Sequence, residues 1–207
     1  MKILLPYSIV ALWKFASTDA SRPNINHVLI DITEDGYFNG VATDGAVMAI
    51  QEVQVTANHG HVKTLLIPSD TLKHVESISN KGKLSVQLDT DTDTITVNQS
   101  MAVKFDRGQG SIVFPDYTSV LPHVIVPIEE EPRIEAPRYI GLDAELLGLF
   151  GKHLKEVFGH GGVAMQIPKD NLSPVRLTSP TGEGFVGVIM PMRIKTPISA
   201  FSKEVAA

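Results

Sequence analysis

Three stretches of the chain share one order of elements, a short strand, an amphipathic helix and then further strands, and this repeat limits the folds open to it. In the first stretch, residues 2–5 read as a strand and residues 7 to about 20 as a helix. Ile9, Leu12, Trp13 and Ala16 recur there at the i, i+3, i+4, i+7 spacing of one helical face. Residues 24–33 alternate as a strand, Asp35-Gly36 signals a tight turn, and residues 37–42 and 47–55 continue as strands. In the second stretch, residues 62–67 form an apolar strand closed by Pro68. Ser69 or Asp70 stands where a helix N-cap belongs. That helix runs to about residue 80 with Leu72, Val75 and Ile78 inward, and residues 84–89, 95–98 and 101–105 follow as strands. The third stretch begins near residue 139. Asp143 caps a helix to about residue 158, with Leu147, Phe150, Leu154 and Val157 on one face, and residues 159–162 stop it with glycines. Residues 163–167, 175–178 and 185–192 follow as strands. Sequence identity between the copies is low, so the repeat is one of pattern. Each helix has one apolar stripe to bury against a sheet, which makes the class α+β. Residues 123–138, with Pro127, Pro132, Pro137 and the run Glu129-Glu130-Glu131, read as a connection.

Composition narrows the function. The chain has 207 residues, 43% apolar and 20% charged, which is ordinary for a soluble globular protein with its own core. It has no cysteine, so it forms no disulfide and no thiolate zinc site, which suits a reducing cytoplasm. No apolar run approaches a membrane span. The opening run of residues 1–5 is too short for a secretory signal and is interrupted by Pro6. The net charge of −5 argues against tight binding dominated by nucleic-acid phosphates.

Segments that mimic chemistry do not hold up. Asp89-Thr90-Asp91-Thr92-Asp93 resembles the start of a calcium loop, but Thr94 and Ser100 occupy the positions of the required glycine and bidentate glutamate. A solvated hairpin tip is the better reading. His59-Gly60-His61 offers two imidazoles and no third ligand. Gly159-His160-Gly161-Gly162 follows a helix, whereas a phosphate cradle precedes one. No nucleophile elbow, no carboxylate pair on one helix and no nucleotide-binding signature stands out, so no enzyme, cofactor or metal is expected. Trp13 lies on an apolar face and reads as core. Lys73, His74, Lys81, Lys83, Lys152, His153 and Lys155 sit on or beside two of the helices and read as solvated faces.

Three segments in order carry a family resemblance: Val41-Ala42-Thr43-Asp44-Gly45, Phe114-Pro115-Asp116-Tyr117-Thr118-Ser119-Val120-Leu121-Pro122 and Val188-Ile189-Met190-Pro191-Met192-Arg193. With Ser21-Arg22-Pro23, Asn26 and Ser173-Pro174-Val175, they resemble the bacterial DNA polymerase III β subunit, the sliding clamp. Residues 1–122 look like that family's middle domain and residues 139–194 like the second half of its last domain. Residues 123–138 stand where the first half of the last domain would be, nothing matches the first domain, and residues 195–207 form a tail. A shortened form of this kind suits a phage or mobile element.

The resemblance implies a DNA-clamp fold, with helices on one face of antiparallel sheets and lining the inside of a ring. It implies a non-enzymatic replication processivity factor in the cytoplasm. Its peptide-binding pocket would be formed by Ile25, Thr43, Gly45, Met48, Pro115, Val120, Val188, Met190, Pro191, Met192 and Arg193. The implied partners are DNA polymerases and other proteins with clamp-binding motifs, and methionines suit a groove that must fit several related peptides. Lys14, Lys73, Lys81, Lys152 and Lys155 would touch phosphates of double-stranded DNA weakly and without sequence preference, because Asp19, Asp70 and Glu145 share their surface. Any ATP-driven clamp loader would be another protein. The chain departs from the family at Ala46-Val47, where His-Arg is usual, and in its tail, which includes Ile198 and Phe201 and is expected to fold back into the pocket and autoinhibit it. The parts that close the family's dimeric ring have no counterpart here. Two readings stay open, an oligomeric ring that encircles DNA and a non-ring module that captures clamp-binding peptides as a decoy or regulator of a full-length clamp. An unrelated enzyme on an α+β scaffold is a third.

Overall fold

Two of the three repeated units interlock by exchanging their opening strands. The computed structural model describes residues 2–32, 37–54, 63–107, 112–121, 140–168 and 170–193. The first unit holds β1 (Lys2–Leu4), α1 (Tyr7–Val10) running into a 3-10 segment (Ala11–Phe15), β2 (His27–Ile32), β3 (Tyr37–Thr43) and β4 (Val47–Gln54). The second holds β5 (Lys63–Pro68), α2 (Ser69–Ile78), β6 (Val86–Asp89), β7 (Thr94–Val97) and β8 (Met101–Lys104). The third holds α3 (Ala144–Phe158), β9 (Ala164–Gln166), β10 (Val175–Thr178) and β11 (Phe185–Ile189). Its opening strand is reduced to an isolated bridge between Gly141 and Met192.

β1 leaves its own unit to pair with β6, and β5 leaves the second unit to pair with β2, with His27 opposite Pro68 and Ile32 opposite Lys63. The result is two antiparallel sheets, one in the order β1-β6-β7-β8 and one in the order β5-β2-β3-β4-β11-β10-β9. The third unit joins at β4–β11, where Gln51 faces Phe185 and Val47 faces Ile189. This is the expected α+β arrangement, with the helices packed on one side of antiparallel sheets.

Close contacts set the helices on the sheets. A Cβ at Gly40 of β3 would lie 2.6 Å from Cδ1 of Ile9 and 2.8 Å from Cδ1 of Leu12. A Cβ at Gly187 of β11 would lie 2.5 Å from Cε1 of Phe150. The absence of a side chain at these two positions lets α1 and α3 approach, and the main core fills the layer between, with Ile9, Leu12, Phe15, Ile30, Phe38, Leu72, Leu88, Ile95, Phe150 and Leu154 fully buried. A smaller cluster of Leu29, Val41, Met48, Ile50, Leu66 and Val188 occupies the opposite face of the larger sheet. Ile112, Phe114, Tyr117 and Leu121 pack across it.

The structure corrects several local expectations. The first helix ends at Phe15 rather than near residue 20, and its second half is 3-10. Ala16 turns extended, and the Ser17 N–H then bonds the carbonyls of Ile25 and Thr43, so nonlocal backbone pairing stops the helix. α2 starts at Ser69 with Pro68 as its N-cap and no side-chain cap, so neither Ser69 nor Asp70 caps it. Trp13 is only half-buried and donates its indole N–H to Glu76. On α3 the buried residues are Phe150, His153 and Leu154, while Leu147 and Val157 are half-buried. His153 is therefore core, not solvated face. Asp143 accepts from the N–H groups of Glu145 and Leu146, and Gly159 closes α3 at φ 84°, as expected. The tip joining β6 and β7 is clamped by Arg107, which bonds Asp93 and the Thr90 carbonyl. Asp35-Gly36, His59-Gly60-His61, residues 123–138 and the tail lie outside the described residues.

Replacing Gly187 with Val drives a branched side chain into the Phe150 ring. Overpacking of this kind destabilises by roughly 1–3 kcal/mol. Urea unfolding of Gly187→Val is expected to show a midpoint lowered to match, with the slope unchanged.

Candidate functional site

The β3–β4 turn is the first wall of the site. The Asp44 carboxylate accepts from the N–H groups of Ala46 and Val47, and the Thr43 hydroxyl donates to the Val47 carbonyl at 2.6 Å while accepting from the Gly45 N–H. Gly45 sits at φ 96°, a region that strains any L side chain. The Arg22 guanidinium lies over it, where a Cβ would be 2.7 Å from Nη2, and Arg22 Nη1 donates to the Asp44 carbonyl at 3.0 Å. The exit of β11 is tied to the same turn, because the Met190 N–H bonds the Ala46 carbonyl at 2.9 Å. The third wall is the segment 112–121. Asp116 accepts from the N–H and hydroxyl of Thr118, and the Tyr117 hydroxyl donates to Asp31 at 3.1 Å. Burial and the neighbouring Asp31 carboxylate push the Tyr117 phenol up to about 12, so it remains a donor.

These walls enclose a mostly apolar cavity of about 220 Å³. Of the pocket residues inferred from sequence, the structure gathers Ile25, Thr43, Gly45, Met48, Pro115, Val120, Val188 and Met190 around it. Pro191, Met192 and Arg193 do not line it, because the chain turns away and the Met192 N–H bonds the Gly141 carbonyl. Arg22, Asn24, Ala46, Val47, Phe114, Asp116 and Tyr117 also line the cavity. Phe114 and Tyr117 belong to the quoted closing segment, but nothing in an irregular stretch tells which of its side chains turn inward. Ala46 and Val47 make the rim apolar where a His-Arg pair would make it polar. On the other side of residues 114–117 lies a second hollow of about 530 Å³, lined by Leu29, Leu66, Ile112 and Val113 among others.

The helix side holds a charge network that connects all three units. Lys14 bonds Glu76 at 2.8 Å and Glu156 at 2.6 Å, and Lys81 bonds Glu156 at 2.9 Å. Tyr7 donates to Glu76 at 2.6 Å and Trp13 at 2.8 Å. Burial pushes the Glu76 carboxyl up, but bonds from Lys14, Tyr7 and Trp13 outweigh it and hold the group below its usual range. The Lys14 bond, aided by Lys81, lowers Glu156 to about 2. Of the lysines expected to face DNA, Lys14 is 19% exposed and committed to two carboxylates. Lys73 lies 5.3 Å from the Trp13 ring centre, and Lys81 is exposed but paired. Lys152 and Lys155 are exposed on α3.

One cluster has the residue types of a hydrolytic triad without its geometry. His160 Nε2 faces Glu183 at 3.2 Å, Thr181 at 2.8 Å and Ser179 at 3.4 Å. A relay needs the acid on the other ring nitrogen, and here Ser179 also bonds Glu183 directly. The cluster ties the β10–β11 turn to the end of α3.

His153 is the histidine that folding alters strongly. It packs between the rings of Phe15 and Phe185, at 5.1 and 5.2 Å, and among the described residues neither ring nitrogen has a hydrogen-bond partner. Burial, with Lys14 adding, lowers it to about 4. The unfolded imidazole takes up its proton near 6.5, so acid favours the unfolded chain between those two values and adds nothing below the lower one. The expected loss across that window is about 3 kcal/mol. His153→Leu should flatten this part of the stability–pH curve, as followed by urea melts from pH 7 to pH 4.

No protein-family model and no curated relative matches the chain. Solved structures do. The DNA polymerase III β subunit of Pseudomonas aeruginosa superposes with a TM-score of 0.63 at 15% identity, covering 94% of this chain and 67% of that one. The sliding clamp of Bacillus subtilis gives 0.65 at 13% identity, covering 94% of this chain and 64% of that one. The β subunit of Thermotoga maritima gives 0.61 at 15% identity, with 94% and 66% covered. The chain spans about two thirds of the length of these structures. Nearly all of it follows their backbone, and the chain has the fold of the DNA polymerase III β subunits, the sliding clamps.

Proposed function

We propose that this chain is a sliding-clamp-like processivity factor that captures clamp-binding peptides of DNA polymerases and related proteins. Residues 1–122 would serve as a complete clamp domain and residues 139–194 as half of one. The observation that carries the reading is the cavity where Thr43, Gly45 and Met48 meet Pro115, Val120, Val188 and Met190 in a chain with the clamp fold. Its lining is apolar and includes two methionines, and burial of one Leu or Phe anchor there contributes roughly 1.5–3 kcal/mol. The ring of Phe114 and the guanidinium of Arg22 would orient the peptide at the rim. No catalytic step is needed, and any loader that consumes ATP would be a separate protein. Among the described residues, no helix is long and apolar enough to cross a membrane.

Met190 is 42% exposed at the cavity, so its replacement does not empty the core. Met190→Asp is expected to weaken a fluorescent peptide carrying adjacent Leu and Phe anchors at least tenfold, about 1.4 kcal/mol, with the circular dichroism unchanged. Equal affinity in wild type and variant would place the peptide elsewhere.

The salt-bridged state of Lys14 and Lys81 favours a second reading, a peptide-capturing regulator that does not encircle DNA. DNA retention separates the two. A ring holds closed circular DNA and slides off linear DNA, while a non-ring module holds neither. Lys152→Glu with Lys155→Glu should abolish whatever DNA contact exists at 50 mM salt and leave peptide affinity unchanged.

A further inference from the structure

The strap of residues 114–117 has a cavity on each side, and only one of them belongs to the pocket proposed above. The second hollow lies over β2 and β5, away from β11, with the facing pair Leu29 and Leu66 as its floor. At about 530 Å³ it is the larger of the two. Val113 stands at its edge 77% exposed, more than any other large apolar side chain among the described residues. A single exposed apolar residue needs no explanation, but Val113 continues an apolar floor, and that is the form of an interaction surface.

The two cavities differ in charge. Arg22 lies at the first. The charged lining of the second is Asp31, Asp116 and Arg107. Arg107 is already matched by Asp93 and the Thr90 carbonyl. Asp31 accepts from the hydroxyls of Tyr117 and Thr64, each at 3.1 Å. Both donors are neutral, and a carboxylate offers about four acceptor sites, so Asp31 keeps its charge and has room for a cation. Asp116 takes both of its Thr118 bonds on one oxygen, Oδ1. Excess carboxylate beside an apolar floor complements a partner with apolar and basic side chains.

We propose that this hollow is a further subsite for the captured peptide, taking a flank that carries one apolar and one basic residue. The proposal rests on the peptide-capture reading, because the wall made by Phe114, Pro115, Asp116 and Tyr117 lines both cavities. A peptide seated on one side has only that strap to cross. Neighbouring backbones lie roughly 5 Å apart, so passing over one takes about 10 Å, or about three extended residues. The apolar residue of the flank packs on Leu29, Leu66 and Val113, and the basic residue meets Asp31. With Arg22 at the other cavity, opposite charges at the two sites fix which way the peptide lies.

Fluorescence anisotropy with synthetic peptides tests this on the full chain. One peptide carries the adjacent Leu and Phe anchors alone. Two others add a Gly-Ser-Gly spacer and a Leu-Lys pair, at the N-terminal or the C-terminal side. One of the extended peptides is expected to bind at least fivefold tighter than the anchors alone. Val113→Lys and Asp31→Asn should each remove most of that gain, with the affinity of the anchor-only peptide and the circular dichroism unchanged. Val113→Lys should in turn prefer a Leu-Glu extension, which the wild type does not. Equal affinity of all three peptides overturns the proposal, as does a gain that survives both substitutions. Failure of the pocket itself has a different signature, an anchor-only affinity that Met190→Asp leaves intact.

Discussion

The ladder between β4 and β11 is the seam on which the candidate site depends. It pairs Gln51 through Val47 with Phe185 through Ile189, and in doing so carries the sheet from the first unit into the third. Side chains alternate across it. Phe185 and Ile189 enter the main core, while Val188 reaches the outer cluster beside Met48. A slip of one residue would reverse those faces, placing Val188 under the helices and Ile189 in the pocket. The register is held from both sides. Phe150 seats on Gly187 beneath it, and the Glu52 N–H and Gln51 side chain bond the carbonyls of Gly184 and Glu183 at its end. The geometry of the candidate pocket on one face is thus set by core packing on the other.

Charge on the helix side serves this seam more than it serves an outside ligand. Glu76 is buried, and a buried carboxylate is tolerated only with partners that replace its water. Tyr7, Trp13 and Lys14 all come from the first helical segment, and Lys14 then reaches Glu156 of α3. Removing one member of such a buried set leaves another uncompensated, a larger penalty than an exposed salt bridge ever returns. The network therefore specifies how the third helix sits against the first. It also explains why the number of lysines on this face overstates its positive potential, since two of them are neutralised locally.

Legibility in the sequence followed the range of the interactions involved. α3 was readable to the residue, because Asp143 and Gly159 act on backbone within one turn. The first helix was not. Its apolar spacing continues to Ala16, but the Ser17 N–H is claimed by Ile25 and Thr43, which no local pattern announces. His153 was readable in principle, standing three residues after Phe150 and one before Leu154 on the buried stripe, yet its neighbours Lys152 and Lys155 suggested a solvated face. Glu76 and Glu156 lie in different units, so no motif could pair them. At the pocket, the segments were visible and their folding together was not. Met190 is held inward by the Ala46 carbonyl, while Met192, two residues on, is drawn to Gly141.

That division at Met190 bears on what the pocket can select. The cavity keeps the apolar contacts of Val188 and Met190 but draws no polar rim from Arg193, and Ala46 and Val47 add none. Charge at the opening comes chiefly from Arg22 and Asp116. Asp116 is occupied by the N–H and hydroxyl of Thr118, which hold its carboxyl below the usual range. Arg22 donates to the Asp44 carbonyl through one nitrogen, and its other terminal nitrogen lies over Gly45 at the mouth. In the proposed peptide-binding role, selectivity would rest on the shape of the apolar anchors, with one guanidinium favouring an acidic or carboxylate-bearing flank. Gly45 is needed twice in that arrangement, once for its positive φ and once because any side chain there would displace the guanidinium.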